Sequence, residues 1–220
     1  MRKIQYSILL IFLFSQVWNK NLHAIPSPPN KDCVTLYENC NFQGRSTQVC
    51  RKDGTFNLGS FNDILSSINI PPNNRVLLFS DSNCGGNSIA LNRFSPGAMC
   101  LFTPPFTFFN DKTSSLIILG KSPPPCCAWL YEHTCFSGSI LQVCGDQATI
   151  PIQWNEIISS VRLGEGLDEV ILYENSNFQG NVFSTAIDNY NLVENNFNDV
   201  TSSVKLIRSV NAKCSKQNQH

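Results

Sequence analysis

Histidine is nearly missing from this chain: three of 220 residues, His23, His133 and His220, stand far apart. No Cys-x-x-Cys pair occurs either. Structural zinc sites are built from such pairs and from clustered imidazoles, so a zinc frame is excluded. There is no Gly-x-Ser-x-Gly elbow, no histidine in a repeated or glycine-rich setting, and no obvious pairing of carboxylates. A nucleophile, its base and an orienting group are therefore not announced, and the chain reads as a non-enzyme. Charge is sparse and balanced, with 16 Lys and Arg against 16 Asp and Glu and 15% charged residues. Such a composition gives no basic patch for nucleic acid or an anionic membrane. No Asn-x-Ser/Thr sequon occurs, so N-glycans are not expected. Sustained helical periodicity is missing too, which turns attention to strands.

What is present begins with an address. Met1-Arg2-Lys3, the apolar run from Ile8 to Phe14 and a cut near Ala24 read as a secretory signal peptide. Ser15, Gln16 and Asn19 break the run short of the roughly 20 apolar residues a membrane span needs. Its removal takes Arg2, Lys3 and Lys20 from the 16 basic residues, leaving 13 against 16 acidic ones and a net charge of −3. All ten cysteines follow this segment, an even number suited to disulfides in an oxidising compartment. The tail after Val210 is polar and lacks the apolar end of a glycolipid anchor signal, so a secreted, extracellular product is expected.

The rest of the chain is organised by a repeated stretch. Phe61-Asn62-Asp63-Ile64-Leu65-Ser66-Ser67 returns as Phe109-Asn110-Asp111-Lys112-Thr113-Ser114-Ser115, Trp154-Asn155-Glu156-Ile157-Ile158-Ser159-Ser160 and Phe197-Asn198-Asp199-Val200-Thr201-Ser202-Ser203. Upstream of three copies lie Leu36-Tyr37-Glu38 with Phe42 and Gly44, Leu130-Tyr131-Glu132 with Phe136 and Gly138, and Leu172-Tyr173-Glu174 with Phe178 and Gly180. The second repeat keeps only Leu78, Phe79 and Gly86. Steps of 42, 52 and 42 residues between Tyr37, Phe79, Tyr131 and Tyr173 group the four repeats into two pairs. Pro-rich spacers flank the pairs. The expected layout is a signal peptide at 1–24, a spacer at 25–31, a first domain at 32–120, a linker at 121–125, a second domain at 126–210 and a polar tail at 211–220.

Each repeat opens on a strand, Val34–Tyr37 and its counterparts Val76–Phe79, Ala128–Tyr131 and Val170–Tyr173, and closes on another after the Ser-Ser pair. In the closing strands Ile68 and Ile70, Leu116 and Ile118, Val161 and Leu163, and Val204 and Leu206 fall on one face each. A glycine at the same place in every early turn predicts positive φ or a close approach there, with the preceding aromatic packed over the turn. About four strands per repeat and eight per domain, with a turn of helix in loops such as 53–60 and 188–196, predict an all-β fold of two Greek-key sandwiches. Cys33 with Cys50, and Cys127 with Cys144, stand 17 residues apart on either side of equivalent turns, which predicts two hairpin disulfides. Five cysteines fall on each side of the Pro run, so one bridge must cross it, and Cys126 at the border is the expected member.

Taken together, these residues resemble the βγ-crystallin superfamily, whose Greek-key motif carries Tyr/Phe-x-x-x-x-Phe/Tyr-x-Gly early and a serine late. The resemblance covers roughly residues 33–208; its departure is the second repeat, with Phe79 at the place of Tyr37 and Cys84 at that of Phe42. Many microbial and invertebrate members bind calcium through Asn/Asp-Asn/Asp-x-x-Ser/Thr-Ser. There, the acidic end of one motif and the first Ser/Thr of its partner meet at one ion, together with a carbonyl just after the first-strand aromatic. Carried over, the resemblance implies Ca²⁺ as cofactor at four sites. They join Asp63 and the Ile64 carbonyl to Ser114, Asp111 and the Lys112 carbonyl to Ser66, Asp199 and the Val200 carbonyl to Ser159, and Glu156 and the Ile157 carbonyl to Ser202. Asn62, Asn110, Asn155 and Asn198 either ligate or orient the loop, and the second serine of each pair fixes it.

Oxygen donors of this kind suit a hard cation, and the few formal charges per site imply dissociation constants on the order of 10⁻⁵ to 10⁻³ M. The same residue types are also ordinary turn chemistry, which would make all four signatures purely structural. For the whole protein the resemblance implies a secreted calcium-binding structural or adhesive role, with an extracellular matrix, coat or cell-surface partner. The alternative is an inhibitor or toxin-like module on the same fold. In that case the unrepeated loops Phe94-Ser95-Pro96-Gly97 and Leu101-Phe102-Thr103-Pro104-Pro105-Phe106 would carry the contact surface.

Overall fold

The computed structural model describes residues 30–51 and 54–214. The expected signal peptide, most of the first spacer and the end of the tail lie outside the described residues. In the first half the strands are β1 (Cys33–Asn39), β2 (Gln43–Cys50), β3 (Phe56–Asn57), β4 (Ser67–Asn69), β5 (Arg75–Phe79), β6 (Ser88–Asn92) and β7 (Ser115–Leu119). In the second half they are β8 (Ala128–His133), β9 (Ser137–Val143), β10 (Ser160–Leu163), β11 (Leu167–Asn175), β12 (Gln179–Thr185) and β13 (Ser203–Arg208). They build four antiparallel sheets ordered β2-β1-β4, β3-β7-β5-β6, β9-β8-β10 and β12-β11-β13. The protein is therefore all-β, with two Greek-key sandwich domains of paired motifs.

The opening hairpin shows why these residues fold as they do. Val34 and Leu36 are fully buried while the residues between and after them are half-buried, the period-2 alternation of a strand with one face on a core. The register runs from Cys33 opposite Cys50 to Tyr37 opposite Ser46, then slips before Asn39 opposite Gln43. Asn41, Phe42 and Gly44 take up the slip with φ of 58°, 63° and 78°. The glycines at the equivalent place, Gly86, Gly138 and Gly180, have φ of 72°, 78° and 80°, as expected. A Cβ on Gly44 would also lie 2.6 Å from the Asn39 amide nitrogen. Over the turn the two aromatic rings meet with centroids 5.6 Å apart for Tyr37 and Phe42, 5.5 Å for Tyr131 and Phe136, and 5.6 Å for Tyr173 and Phe178.

The third strand of each motif is much shorter than expected. In the first motif it is the two-residue β3, and in the third and fourth it is a single bridge, Gln147 to Val204 and Asn189 to Val161. The second motif forms a short helix, α1 (Pro96–Met99), with Pro at its start, and then one backbone bond from Leu101 to Ser66. Short as they are, these segments pair with the partner motif: β3 lies on β7, Leu101 on the end of the first motif, and each bridge spans the third and fourth motifs. The two motifs of a domain are thereby interlocked. The loops hold the expected turns of 3₁₀ helix, at Gly59–Phe61, Phe106–Phe109, Ile152–Trp154 and Leu192–Asn195.

One core gathers residues from Val34 to Ile118 and another from Ala128 to Leu206. All of the predicted inward residues are buried except Leu163, which is half-buried and packs against the second core. Each such buried aliphatic side chain contributes about 1.5–3 kcal/mol. A third apolar cluster joins the domains, with Leu77, Phe79, Ile117 and Leu119 against Tyr131, Phe136 and the neighbouring Trp129 and Tyr190. The Tyr190 ring stands edge-on to Phe79 at 5.0 Å and its hydroxyl lies 3.3 Å from that of Ser88. The unrepeated loops divide: Phe94 and Phe102 are 83% and 71% exposed, whereas Leu101 is buried and Phe106 closes on the first core.

All ten cysteines are paired. Cys33–Cys50 and Cys127–Cys144 are the predicted hairpin bridges, each between residues directly opposite or beside one another on the ladder. The bridge across the Pro run is Cys84–Cys135 rather than one made by Cys126. Cys126 instead turns back into its own domain, its N–H donating to the Glu165 carbonyl and its sulfur bonded to Cys214. Cys84 stands where the other motifs place a turn aromatic, at the domain contact, so its thiol faces the neighbouring turn. Replacing both Cys84 and Cys135 by Ser removes a constraint on a 51-residue loop, about 4 kcal/mol in the chain-entropy model. The expected outcome in calorimetry is a lower midpoint with the transition split between the domains; a trace superimposable on the parent's would refute it.

Candidate metal centres

Each Asn-Asp/Glu signature leaves a 3₁₀ turn and enters a left-handed residue: φ is 56° at Asp63, 52° at Asp111, 58° at Glu156 and 55° at Asp199. Asp and Asn tolerate this region best among residues with a side chain, which explains the acid as backbone chemistry as well as charge. The two loops of a domain then exchange backbone bonds. Asp63 N–H donates to Thr113 and Asp111 N–H to Leu65, at 3.2 Å each, while Glu156 donates to Thr201 and Asp199 to Ile158, at 3.1 Å each. Each loop is thereby laid beside the closing strand of the other motif.

The two serines that follow point opposite ways, as neighbours on a strand must. The second is fully buried in all four motifs and reaches back to its own turn. Ser67 Oγ accepts from the Phe42 N–H at 3.1 Å and donates to the Asn39 carbonyl at 2.6 Å. Ser115, Ser160 and Ser203 do the same for Cys84 and Asp81, Phe136 and His133, and Phe178 and Asn175. The loop-fixing role expected for these serines is what the structure shows.

The first serine faces the partner motif. Ser159 Oγ lies 2.8 Å from the Glu132 carbonyl and 3.1 Å from Asp199 Oδ1, so a hydroxyl, a carbonyl and a carboxylate converge on one point. Ser66 Oγ meets Asp111 Oδ1 at 3.3 Å in the other domain. Asp63 and Ser114 line a single open cavity of about 650 Å³ with Ser80, Asp81, Asp111 and Lys112. The fourth pair is not joined by side chains: Glu156 reaches the fourth motif through its N–H, and among the described residues no hydrogen bond links its carboxylate to Ser202. Asn62 and Asn110 donate to the neighbouring Asp63 and Asp111 carboxylates at 2.6 and 2.7 Å, and so orient them. Asn155 makes no such bond, and Asn198 Oδ1 is buried without a partner, as is Asn110 Oδ1. Ile64 and Val200 pack their side chains on the two cores, Ile157 is half-buried, and the Lys112 ammonium sits 5.2 Å over the Phe108 ring, which leaves these four only backbone carbonyls to offer.

Glu132 is a candidate site residue that its side chain does not reveal. Its backbone carbonyl faces the site because the preceding Tyr131 carbonyl accepts from the Ser159 N–H at 2.9 Å. The same bond, Tyr37 to Ser66, Phe79 to Ser114 and Tyr173 to Ser202, is present in every motif. The Glu132 carboxylate points away, where the Ser139 backbone N–H, then its hydroxyl, hold it below its ordinary pKa. Among the described residues no three carboxylate, imidazole or thiolate groups cluster on one point. A cation here would be held by a mixed set of hydroxyl, carbonyl and single carboxylate oxygens. Such a set fits Ca²⁺, which takes six to eight oxygens in flexible geometry, and does not fit zinc.

Fold and loops define an all-β protein of Greek-key motifs that share their loops two by two. No family model matches the chain. Spherulin-3A of Physarum polycephalum is 37% identical over 96 residues, which are 43% of this chain and 89% of that protein. Protein S, solved in complex with calcium, is similar over 80% of this chain and 99% of its own, with 24% identity and a TM-score of 0.33. A βγ-crystallin domain of the Abundant Perithecial Protein from Neurospora crassa, solved in its Ca²⁺-bound form, covers 41% of this chain and 97% of its own, with 18% identity and a TM-score of 0.35. The chain belongs to the βγ-crystallin superfamily.

Ser160→Ala leaves the Phe136 N–H and the His133 carbonyl without their buried partner. A loss of about 1–3 kcal/mol is expected in urea unfolding with chelator present, since the bond is structural. A loss below about 0.5 kcal/mol, the scatter of surface substitutions, would refute the assignment.

Proposed function

We propose that this protein is a secreted, calcium-binding βγ-crystallin with a structural or adhesive role outside the cell, in which calcium stiffens each domain at the shared loops. The observation that carries this reading is the convergence of the Ser159 hydroxyl, the Glu132 carbonyl and the Asp199 carboxylate. The Ser159 hydroxyl has one proton for the two acceptor oxygens, so hydrogen bonding alone leaves most of the lone pairs at that point unused, and a cation would use them. Ser66 with Asp111, and Asp63 with Ser114 across their cavity, offer the corresponding groups in the first domain. Five disulfides support an oxidising, extracellular setting. No described helix is long and apolar enough to cross a membrane. Nothing in the site suggests covalent catalysis, and the reading is non-enzymatic.

Exposed Phe94 and Phe102 support the second reading, a protein- or glycan-binding module. Self-association measured in calcium and in chelator separates the two. Calcium-driven assembly favours the structural role, and a monomer in both conditions favours the module.

Calcium is expected to raise the thermal midpoint of the oxidised protein, because only the folded chain assembles the oxygen set. Asp63→Asn with Asp111→Asn, which keeps side chains that tolerate the left-handed backbone, is expected to remove most of the gain in the first domain. An unchanged midpoint of the parent in millimolar Ca²⁺ would refute the reading. The Glu156 site is expected to be weakest, since Glu is one methylene longer and less suited to φ of 58°. Glu156→Asp should tighten calcium binding in the second domain several-fold; equal or lower affinity in a calcium titration contradicts the ranking.

A further inference from the structure

The turn of the second motif has moved its carboxylate. In the third and fourth motifs the residue after the strand aromatic is Glu, and its carboxylate accepts a backbone N–H seven residues on: Glu132 from Ser139 at 3.1 Å, Glu174 from Asn181 at 3.0 Å. In the second motif the residue after Phe79 is Ser80, and its hydroxyl does this work, accepting from the Asn87 N–H at 3.0 Å. The acid stands one position later, as Asp81, where the other motifs have Asn39, His133 and Asn175.

That shift changes what the acid faces. Asp81 lines the cavity that Asp63, Ser114 and Asp111 also line, with Ser80 beside it. Its Oδ1 takes one long contact, 3.4 Å from Ser80 Oγ, and among the described residues no Lys or Arg forms an ion pair with it. Gly86 keeps its place open, since a Cβ there would stand 2.8 Å from Asp81 Oδ2. Among the described residues lining the cavity the cation is Lys112, and its ammonium sits over the Phe108 ring.

We propose that Asp81 is an additional acidic group of the Asp63–Ser114 cation site, and that it makes this site the tightest of the four for calcium. The inference rests on the calcium reading above. Because three carboxylates do not close on one point, Asp81 acts from the cavity wall, through its field and the water shell of the ion. In an open, hydrated cavity that field is partly screened, so its effect shrinks as salt rises.

Calorimetric calcium titration of the oxidised full-length protein at low ionic strength tests it. Asp63→Asn is expected to abolish the tightest site, and Asp81→Asn to weaken it about tenfold while leaving the other sites unchanged, the deficit narrowing at high salt. The converse change, Asn39→Asp, should tighten the Asp111–Ser66 site several-fold, because Asn39 occupies the position of Asp81 in the first motif. Loss of the tightest site with Asp63→Asn but less than a twofold effect of Asp81→Asn overturns the role of Asp81 and leaves the calcium reading standing. No calcium uptake by the parent protein overturns both.

Discussion

The second serine of each signature holds a turn from 24 to 34 residues away, fully buried, with its hydroxyl both accepting and donating. A buried hydroxyl with both bonds made is stable, whereas its loss would strand a buried N–H and a buried carbonyl. Much follows from this one contact. It sets the left-handed turn under its own strand, lets the two aromatic rings close over that turn, and fixes the phase of the closing strand. Once that phase is fixed, the preceding serine has no choice of direction. It must face the partner motif, where the opposing carboxylate stands.

No single motif contains a complete candidate site. The carboxylate comes from one loop, the hydroxyl and carbonyl from the other, and the exchanged bonds between Asp63 and Thr113, Asp111 and Leu65, Glu156 and Thr201, and Asp199 and Ile158 bring them together. The interlocking third strands enforce the same pairing from the other side. The sites are thus a property of the Greek-key pair, and a cation there would bind the two halves of each sandwich to one another.

The sequence made much of this legible because the repeated residues are the ones with the least freedom. Gly44 and its counterparts, the paired aromatics and the Ser-Ser steps each answer a backbone or burial requirement, and they fell where the repeats put them. The hairpin disulfides were legible for the same reason, since equal spacing about equal turns gives equal register. What was not legible depended on contacts between repeats. The third strands have too little length to show a period, and their partners lie in another motif. Cys84 looked like a damaged aromatic position, and only the domain contact reveals it as half of a bridge to Cys135. The Glu132 carbonyl is the one just after a first-strand aromatic that the resemblance describes, but the expected carbonyls were assigned to Ile64, Lys112, Ile157 and Val200, and only the contact with Ser159 reveals it. Asp81 is an acid whose direction depends on what Ser80 does beside it.

The two domains would meet a cation in different states of readiness. In the first, Cys40–Cys100 ties the opening turn to the segment that crosses from the second motif, one residue before Leu101 bonds to Ser66. Ordering of the loops around Ser66 is therefore largely accomplished by covalent structure before any ligand arrives, and a preorganised site binds with less entropy to lose. The second domain has Thr134 in place of Cys40, and its crossing segments are held by the single bridges at Gln147 and Asn189. Its disulfides, Cys127–Cys144 and Cys126–Cys214, are placed elsewhere, the first of them at the end of the hairpin remote from its turn. The inter-domain Cys84–Cys135 bridge holds its opening turn to the first domain, but among the described residues no disulfide reaches its crossing segments, whose order rests on hydrogen bonds. The same ion would there act more as a part of the fold, and in the first domain more as a ligand received by a finished site.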